Sequence, residues 1–155
     1  MLKLIEEEVL ISKLQRLYRS EDDLRLAWTK GNWPFDPEQW KSWFVNTDEK
    51  ATHSLYLYKK TPEGSFTIGH GAILNYLQGA SVAYLCFLII DPQYRTQGYG
   101  RELVLKMCDY AKRTLNKKEI FLMVDPMNMP ALNCYLSCGF SYVDGNNPRR
   151  YKKML

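Results

Sequence analysis

The sequence predicts a single α/β domain, a mixed sheet of about six or seven strands flanked by about four helices. Three observations carry that reading. Residues 83–90 are almost entirely apolar, as in a central strand covered on both faces. A turn carrying Gly98 and Gly100 follows, and it opens a helix with one apolar stripe: Leu103, Val104, Met107, Cys108, Ala111 and Leu115. A second strand–helix unit spans 119–138, and two short strands close the chain.

Each element has a local reason. Residues 7–18 fit either a strand, through the alternation of Val9 and Ile11, or an early helix; the strand is preferred. Ser20 followed by Glu21, Asp22 and Asp23 reads as an N-cap with an acidic first turn, and the stretch 31–34 breaks that helix. Asp36, Pro37 and Gln39 mark the next start: an N-cap, a proline at the first helical position and a glutamine closing a capping box. That helix carries Trp40, Trp43 and Phe44 on one side. Strands follow at 54–59 and 65–74 around a turn at 61–64. The helix at 128–138 ends at Gly139 with Phe140 folding back, and strands at 140–144 and 149–154 flank a turn at 145–148.

Composition narrows the function. The chain has 155 residues, 46% apolar and 25% charged, ordinary values for a soluble globular domain. A net charge of +4 suits an anionic ligand, but the basic residues are scattered, so nucleic acid is excluded as a partner. The one basic cluster, 149–153, reads as a strand edge or an electrostatic aid. Acidic residues begin at Glu6, too early for a signal peptide, and no apolar run approaches the ~18–20 residues of a membrane span. A cytoplasmic location is expected, with no membrane partner. Cys86, Cys108, Cys134 and Cys138 form no CxxC pair and lack a His-rich neighbourhood, so no metal is expected and the thiols read as buried and reduced.

A strand that ends in a glycine turn at a helix N-terminus makes an anion site, because the first backbone N–H groups of the helix lack intrahelical partners. Two meanings of this turn fail. A P-loop needs Lys followed by Ser or Thr after the second glycine, where this chain has Arg101 and Glu102. A dinucleotide fingerprint needs a third glycine at the position of Leu103. The pattern Arg95-x-x-Gly98-x-Gly100 after an Ile-Asp-Pro strand end instead resembles the pyrophosphate loop of the GNAT superfamily of acyl-CoA-dependent N-acyltransferases. Asn128, Ala131, Tyr135 and the pair Gly139-Phe140 resemble that family's second signature, at the expected separation. The resemblance covers residues 65–155, which would be the coenzyme-binding core, with 1–60 on the acceptor side.

The resemblance implies a splay between two central parallel strands that admits acetyl-CoA. The backbone of Leu88, Ile89 and Ile90 would hold the pantetheine arm, with the Leu88 N–H on the thioester carbonyl. The segment Arg95, Thr96, Gln97, Gly98, Tyr99, Gly100 and Arg101 would hold the pyrophosphate. Tyr135 would be the general acid at the sulfur, and Asn128 and Ala131 would line the coenzyme arm, Asn128 serving also as an N-cap. The general base stays open: residues 84–90 contain no acid, and His70, Tyr84 and a water-mediated route to Asp91 are the candidates. Trp33, Phe35 and Tyr76 are candidates for the acceptor pocket. The implied reaction is direct transfer of acetyl to a primary amine of a small molecule or of a protein or peptide, in a ternary complex. A catalytically inactive coenzyme-binding module is the alternative, and the resemblance leaves room for a homodimer.

Overall fold

A computed structural model describes residues 1–8, 11–46, 50–76, 80–143 and 145–155, with Tyr76 described by its backbone. Strands β1 (Leu2–Glu6), β2 (Lys50–Thr61), β3 (Gly64–Tyr76) and β4 (Val82–Ile90) lie side by side, each antiparallel to its neighbour. Strand β5 (Glu119–Met123) joins β4 in parallel, and the antiparallel pair β6 (Ser141–Tyr142) and β7 (Arg150–Met154) completes the order β1-β2-β3-β4-β5-β7-β6. This is the mixed sheet the sequence predicts.

Five α-helices are described, one more than expected. Helices α1 (Ile11–Leu17), α2 (Glu21–Ala27) and α3 (Pro37–Trp43) cover one face, where Leu14, Leu17, Leu24 and Trp40 pack on Tyr56, Ala72, Phe87 and Ile89. Helices α4 (Tyr99–Arg113) and α5 (Met129–Ser137) cover the other, where Leu103, Val104 and Met107 meet Leu55, Leu57, Leu85 and Ile120. Alternation along β2 feeds the two cores in turn.

The first segment corrects the sequence reading. The strand is Leu2–Glu6, and Ile11–Leu17 is helical, because Leu14, Leu17 and Tyr18 share the 3–4 residue spacing of a buried helix face. Val9, half of the alternation that favoured a strand, lies outside the described residues. Ser20 and Asp36 do cap their helices, accepting from Asp23 N–H and from Glu38 and Gln39 N–H. Gln39 closes no capping box: its amide holds the preceding loop through Lys30 O (3.0 Å) and Asn32 N–H (2.6 Å). The basic segment at the end is no edge, since β7 runs between β5 and β6. Of the predicted strand 140–144, only Ser141–Tyr142 is strand, and Asp144 lies outside the described residues.

His70 sits in the interior of β3, fully buried, with Nε2 2.9 Å from Ser54 Oγ and its ring 4.8 Å from that of Tyr56. Burial pushes its pKa from the ordinary 6.5 down to about 3. Between those values the unfolded chain binds a proton that the folded chain refuses, so stability rises with pH across that window and falls as the solution is acidified below 6.5. In urea unfolding at successive pH values, this residue contributes a loss of about 1.4 kcal/mol per pH unit. His70→Gln flattens that slope, whatever it does to stability at pH 7.

Candidate active site

Strand β4 changes face midway. Ala83 and Leu85 belong to the core under α4, yet Cys86 and Phe87, consecutive in sequence, both turn to the core under α1–α3. The cause is a bulge: the register with β3 shifts between His70 and Ala72, and Phe87 adopts φ 56°. Beyond it, Leu88 and Ile90 return to the α4 side while Ile89 faces α1–α3. Phe87 is locked there by the rings of Trp28 (5.1 Å), Trp40 (5.3 Å) and Trp43 (5.5 Å).

The bulge coincides with a parting of the sheet. Pairing between β4 and β5 runs from Val82↔Glu119 to Tyr84↔Phe121 and stops, although β4 continues to Ile90 and β5 to Met123. On the β3 side, Asp91 N–H donates to Ile68 O at 2.8 Å. The two-residue alternation of a strand then aims the backbone groups of Leu88 and the N–H of Ile90 the other way, into the gap, while the Ile90 carbonyl accepts from Arg95. An unpaired strand edge inside a sheet leaves donors and acceptors for an extended ligand.

The turn after β4 supplies an anion cradle. Thr96 and Gly98 take φ of 61° and 86°, winding the chain into α4. Gly98, the N-cap of α4, offers no side chain, so the N–H groups of Tyr99, Gly100 and Arg101 point out of the helix end without an intrahelical partner. A Cβ on Gly98 would enter open space, where an anion has room to approach. A Cβ on Gly100 would make only ordinary contacts, 3.7 Å from Cys134 Sγ and 3.9 Å from Ile90 Cγ1. Thr96 Oγ1 donates to Arg95 O and the Gln97 amide to Gln93 O, so both brace the turn itself. The Arg101 side chain is exposed at the cradle.

Arg95 does not reach toward that cradle. It pairs with Asp23 at 2.8 Å and donates from Nε to Ile90 O at 3.0 Å. Asp91 receives Arg19 at 3.0 Å on both carboxylate oxygens and Gln93 N–H at 2.9 Å. Two crossed ion pairs thus tie the start of α2 to the end of β4. They engage Asp91 fully, which counts against it as a base.

Helix α5 packs beside α4 on the same core. The Asn128 side chain caps it by accepting from Ala131 N–H at 3.4 Å, and Gly139 (φ 92°) ends it, with Phe140 N–H donating back to Tyr135 O at 3.1 Å. Tyr135 is half-buried, its ring edge-on to Phe140 at 6.1 Å, and its hydroxyl has no hydrogen-bond partner among the described residues. Burial, and then the neighbouring Cys134 and Cys138, push the phenol well above its ordinary range, so it keeps its proton. A bond to Cys138 and burial likewise push the Cys134 thiol up, which makes it a poor nucleophile. Among the described residues no group of His, Cys, Asp and Glu could hold a metal, and no helix is long and apolar enough to cross a membrane.

The remaining candidates are dispersed. His70 is enclosed in the core rather than set at the gap, and a ring whose pKa is about 3 is a poor proton acceptor at neutrality. Tyr84 stands where the strands part, its hydroxyl accepting from Arg150 at 3.4 Å. Phe35 stacks on Trp40 at 5.4 Å and Trp33 packs at the margin of the same aromatic core, so both build the wall under α3. Tyr76 ends β3 opposite Lys50, and its side chain lies outside the described residues. The bulge, the crossed ion pairs and Arg150 escape sequence reasoning. Only the lone apolar-to-acidic step at Ile90-Asp91 signals where such a brace could attach.

Comparison with known proteins agrees with this geometry. A domain from Methanocaldococcus jannaschii superposes with a TM-score of 0.76 at 15% identity, covering 100% of both chains. Spermidine N-acetyltransferase from Vibrio cholerae, solved with CoA and spermine, superposes with a TM-score of 0.73 at 18% identity over 99% of this chain and 95% of that one. In sequence, a Vibrio cholerae spermidine N(1)-acetyltransferase is 36% identical over 53 residues, a match of 34% of this chain and 31% of that relative's length. The profile of the Acetyltransferase (GNAT) family matches residues 14–140, taking in the parted strands, the glycine cradle and α5 together. The chain belongs to the acetyltransferase (GNAT) family.

Proposed function

We propose that this protein transfers the acetyl group of acetyl-CoA to a primary amine of a small molecule, by direct attack within a ternary complex. One observation carries the reading: a central strand with a free edge ends in a helix cradle of unpartnered N–H groups, a pairing that suits an extended arm ending in a pyrophosphate. CoA in the Vibrio cholerae structure supports the donor, and the spermidine acetyltransferases support a small amine as acceptor.

In this reading Leu88 and Ile90 offer backbone groups to the pantetheine arm, and the Leu88 N–H polarises the carbonyl that the amine attacks. The N–H groups of Gly98 to Arg101 hold the pyrophosphate. Tyr135 gives a hydrogen bond to the departing sulfur. As a phenol raised above its ordinary ~10, it is a weaker acid than a thiol near ~8.5, so it works as a relay: it yields its proton only as one is resupplied. The attacking nitrogen sheds a proton for each one the sulfur gains, so the exchange balances without a side-chain base of intermediate pKa. Cys134 is held protonated by its bond to Cys138 and by burial, and Cys138, whose thiol the same bond pulls down, is buried in the core, so neither favours a covalent acyl-enzyme.

The test is release of free thiol from acetyl-CoA across a panel of amines. Tyr135→Phe lowers kcat by about 100-fold with little change in KM for acetyl-CoA. Gly98→Val, which strains a φ of 86° and fills the open cradle, raises the KM for acetyl-CoA about tenfold. The pH profile of kcat/KM rises through an inflection that moves with the pKa of each acceptor amine. An inflection fixed near neutrality for every acceptor reveals a protein base and overturns the relay. Coenzyme binding with no turnover on any amine favours a non-catalytic module.

A further inference from the structure

We propose that the acceptor is an amine that also carries a carboxylate, held by Arg150 where β4 and β5 part; this rests on the acetyl-transfer reading above. The coenzyme cradle belongs to the α4 side of the sheet, so the acceptor must approach from the opposite face. There the core under α1–α3 draws residues from β2, β3 and β4, and none from β5 or β7. Among the described residues this leaves a shelf beside the parting strands that no residue of that core covers, although Phe121 on it is itself buried. Alternation puts Tyr84, Phe121 and Met123 on it, since Ile120 and Leu122 face the α4 core, and Met123 is 60% exposed.

Arg150 pairs across from Met123, beyond the last β4–β5 pair, and its side chain reaches back to the point where the strands part. Its guanidinium lies 4.5 Å above the Phe121 ring and donates to the Tyr84 hydroxyl at 3.4 Å. It forms no ion pair among the described residues, and the nearby carboxylate of Glu119 sits at the closed end, 3.8 Å from Lys152. A ring face and a phenol thus fix a half-buried guanidinium in orientation, and among the described residues most of its five N–H donors are unused. That is a carboxylate receptor, in which a planar fork matches two oxygens. The same charge rejects polyamines, whose second ammonium would be driven against Arg150.

The experiment compares acceptors on one carbon skeleton at saturating acetyl-CoA: an amino acid, its amide, its decarboxylated amine and a polyamine. Rates are corrected to equal concentrations of neutral amine. The wild type prefers the amino acid by about 10- to 100-fold in kcat/KM, the range for a hydrogen-bonded charge. Arg150→Gln brings the ratio near one, and Arg150→Lys keeps part of it. The proposal is overturned if the polyamine or the decarboxylated amine is preferred. It also falls if the ratio survives Arg150→Gln, or if that variant alters only the KM for acetyl-CoA. Titration of an N-acetyl amino acid into the protein with CoA separates the two readings. Arg150-dependent binding without turnover keeps the receptor and removes the reaction, whereas turnover without preference does the reverse.

Discussion

The bulge at Phe87 is the constraint on which the rest of this molecule depends. One extra residue in β4 exchanges the faces of every side chain after it. Phe87 thereby enters the aromatic core under α1–α3, Leu88 and Ile90 turn to α4, and the strand leaves β5 after Tyr84. A regular β4 would keep pairing with β5, and the edge that faces the gap would be consumed by the sheet. The tryptophans around Phe87 therefore do more than fill volume, since they hold a left-handed backbone that a phenylalanine would not adopt unaided.

The start of α2 is tied to the end of β4 and the turn after it by Arg19–Asp91 and Asp23–Arg95. Both carboxylates are buried at 8% exposure while both arginines reach solvent, so the Coulombic gain of each pair is modest. Their weight lies in the penalty for breaking them, because a buried carboxylate would lose its partner. This brace couples the helices of the first core to the strand with the free edge, with Arg95 also satisfying the Ile90 carbonyl. A cation that looks from sequence like a phosphate ligand acts here as a tie within the fold.

The sequence makes the second half of the chain legible because each feature there has a short-range cause. An unbroken apolar run gives β4, a clean amphipathic stripe gives α4, and Asn128 and Gly139 bound α5. Helix α1 escapes because seven residues carry little periodicity and Ile11 fits either pattern. The bulge escapes because its cause is packing by residues distant in sequence, and nothing in 85–90 announces a positive φ at Phe87. Gln39, Arg95 and the segment around Arg150 are misread for the same reason, since their partners are set by tertiary contacts. His70 looks like a base by residue type, and only its enclosure removes it.

The parting of β4 from β5 also bears on self-association. An exposed strand edge invites a strand from another molecule, the route to polymers and swapped dimers. Here the free edge is the inside of a wedge, closed at Tyr84 and Phe121 and backed by α4 and α5. A wedge admits a slender, flexible chain at its open end and refuses a full pleated strand with side chains on both faces. The shape that makes room for a ligand thus keeps this one edge from pairing with a strand of another copy.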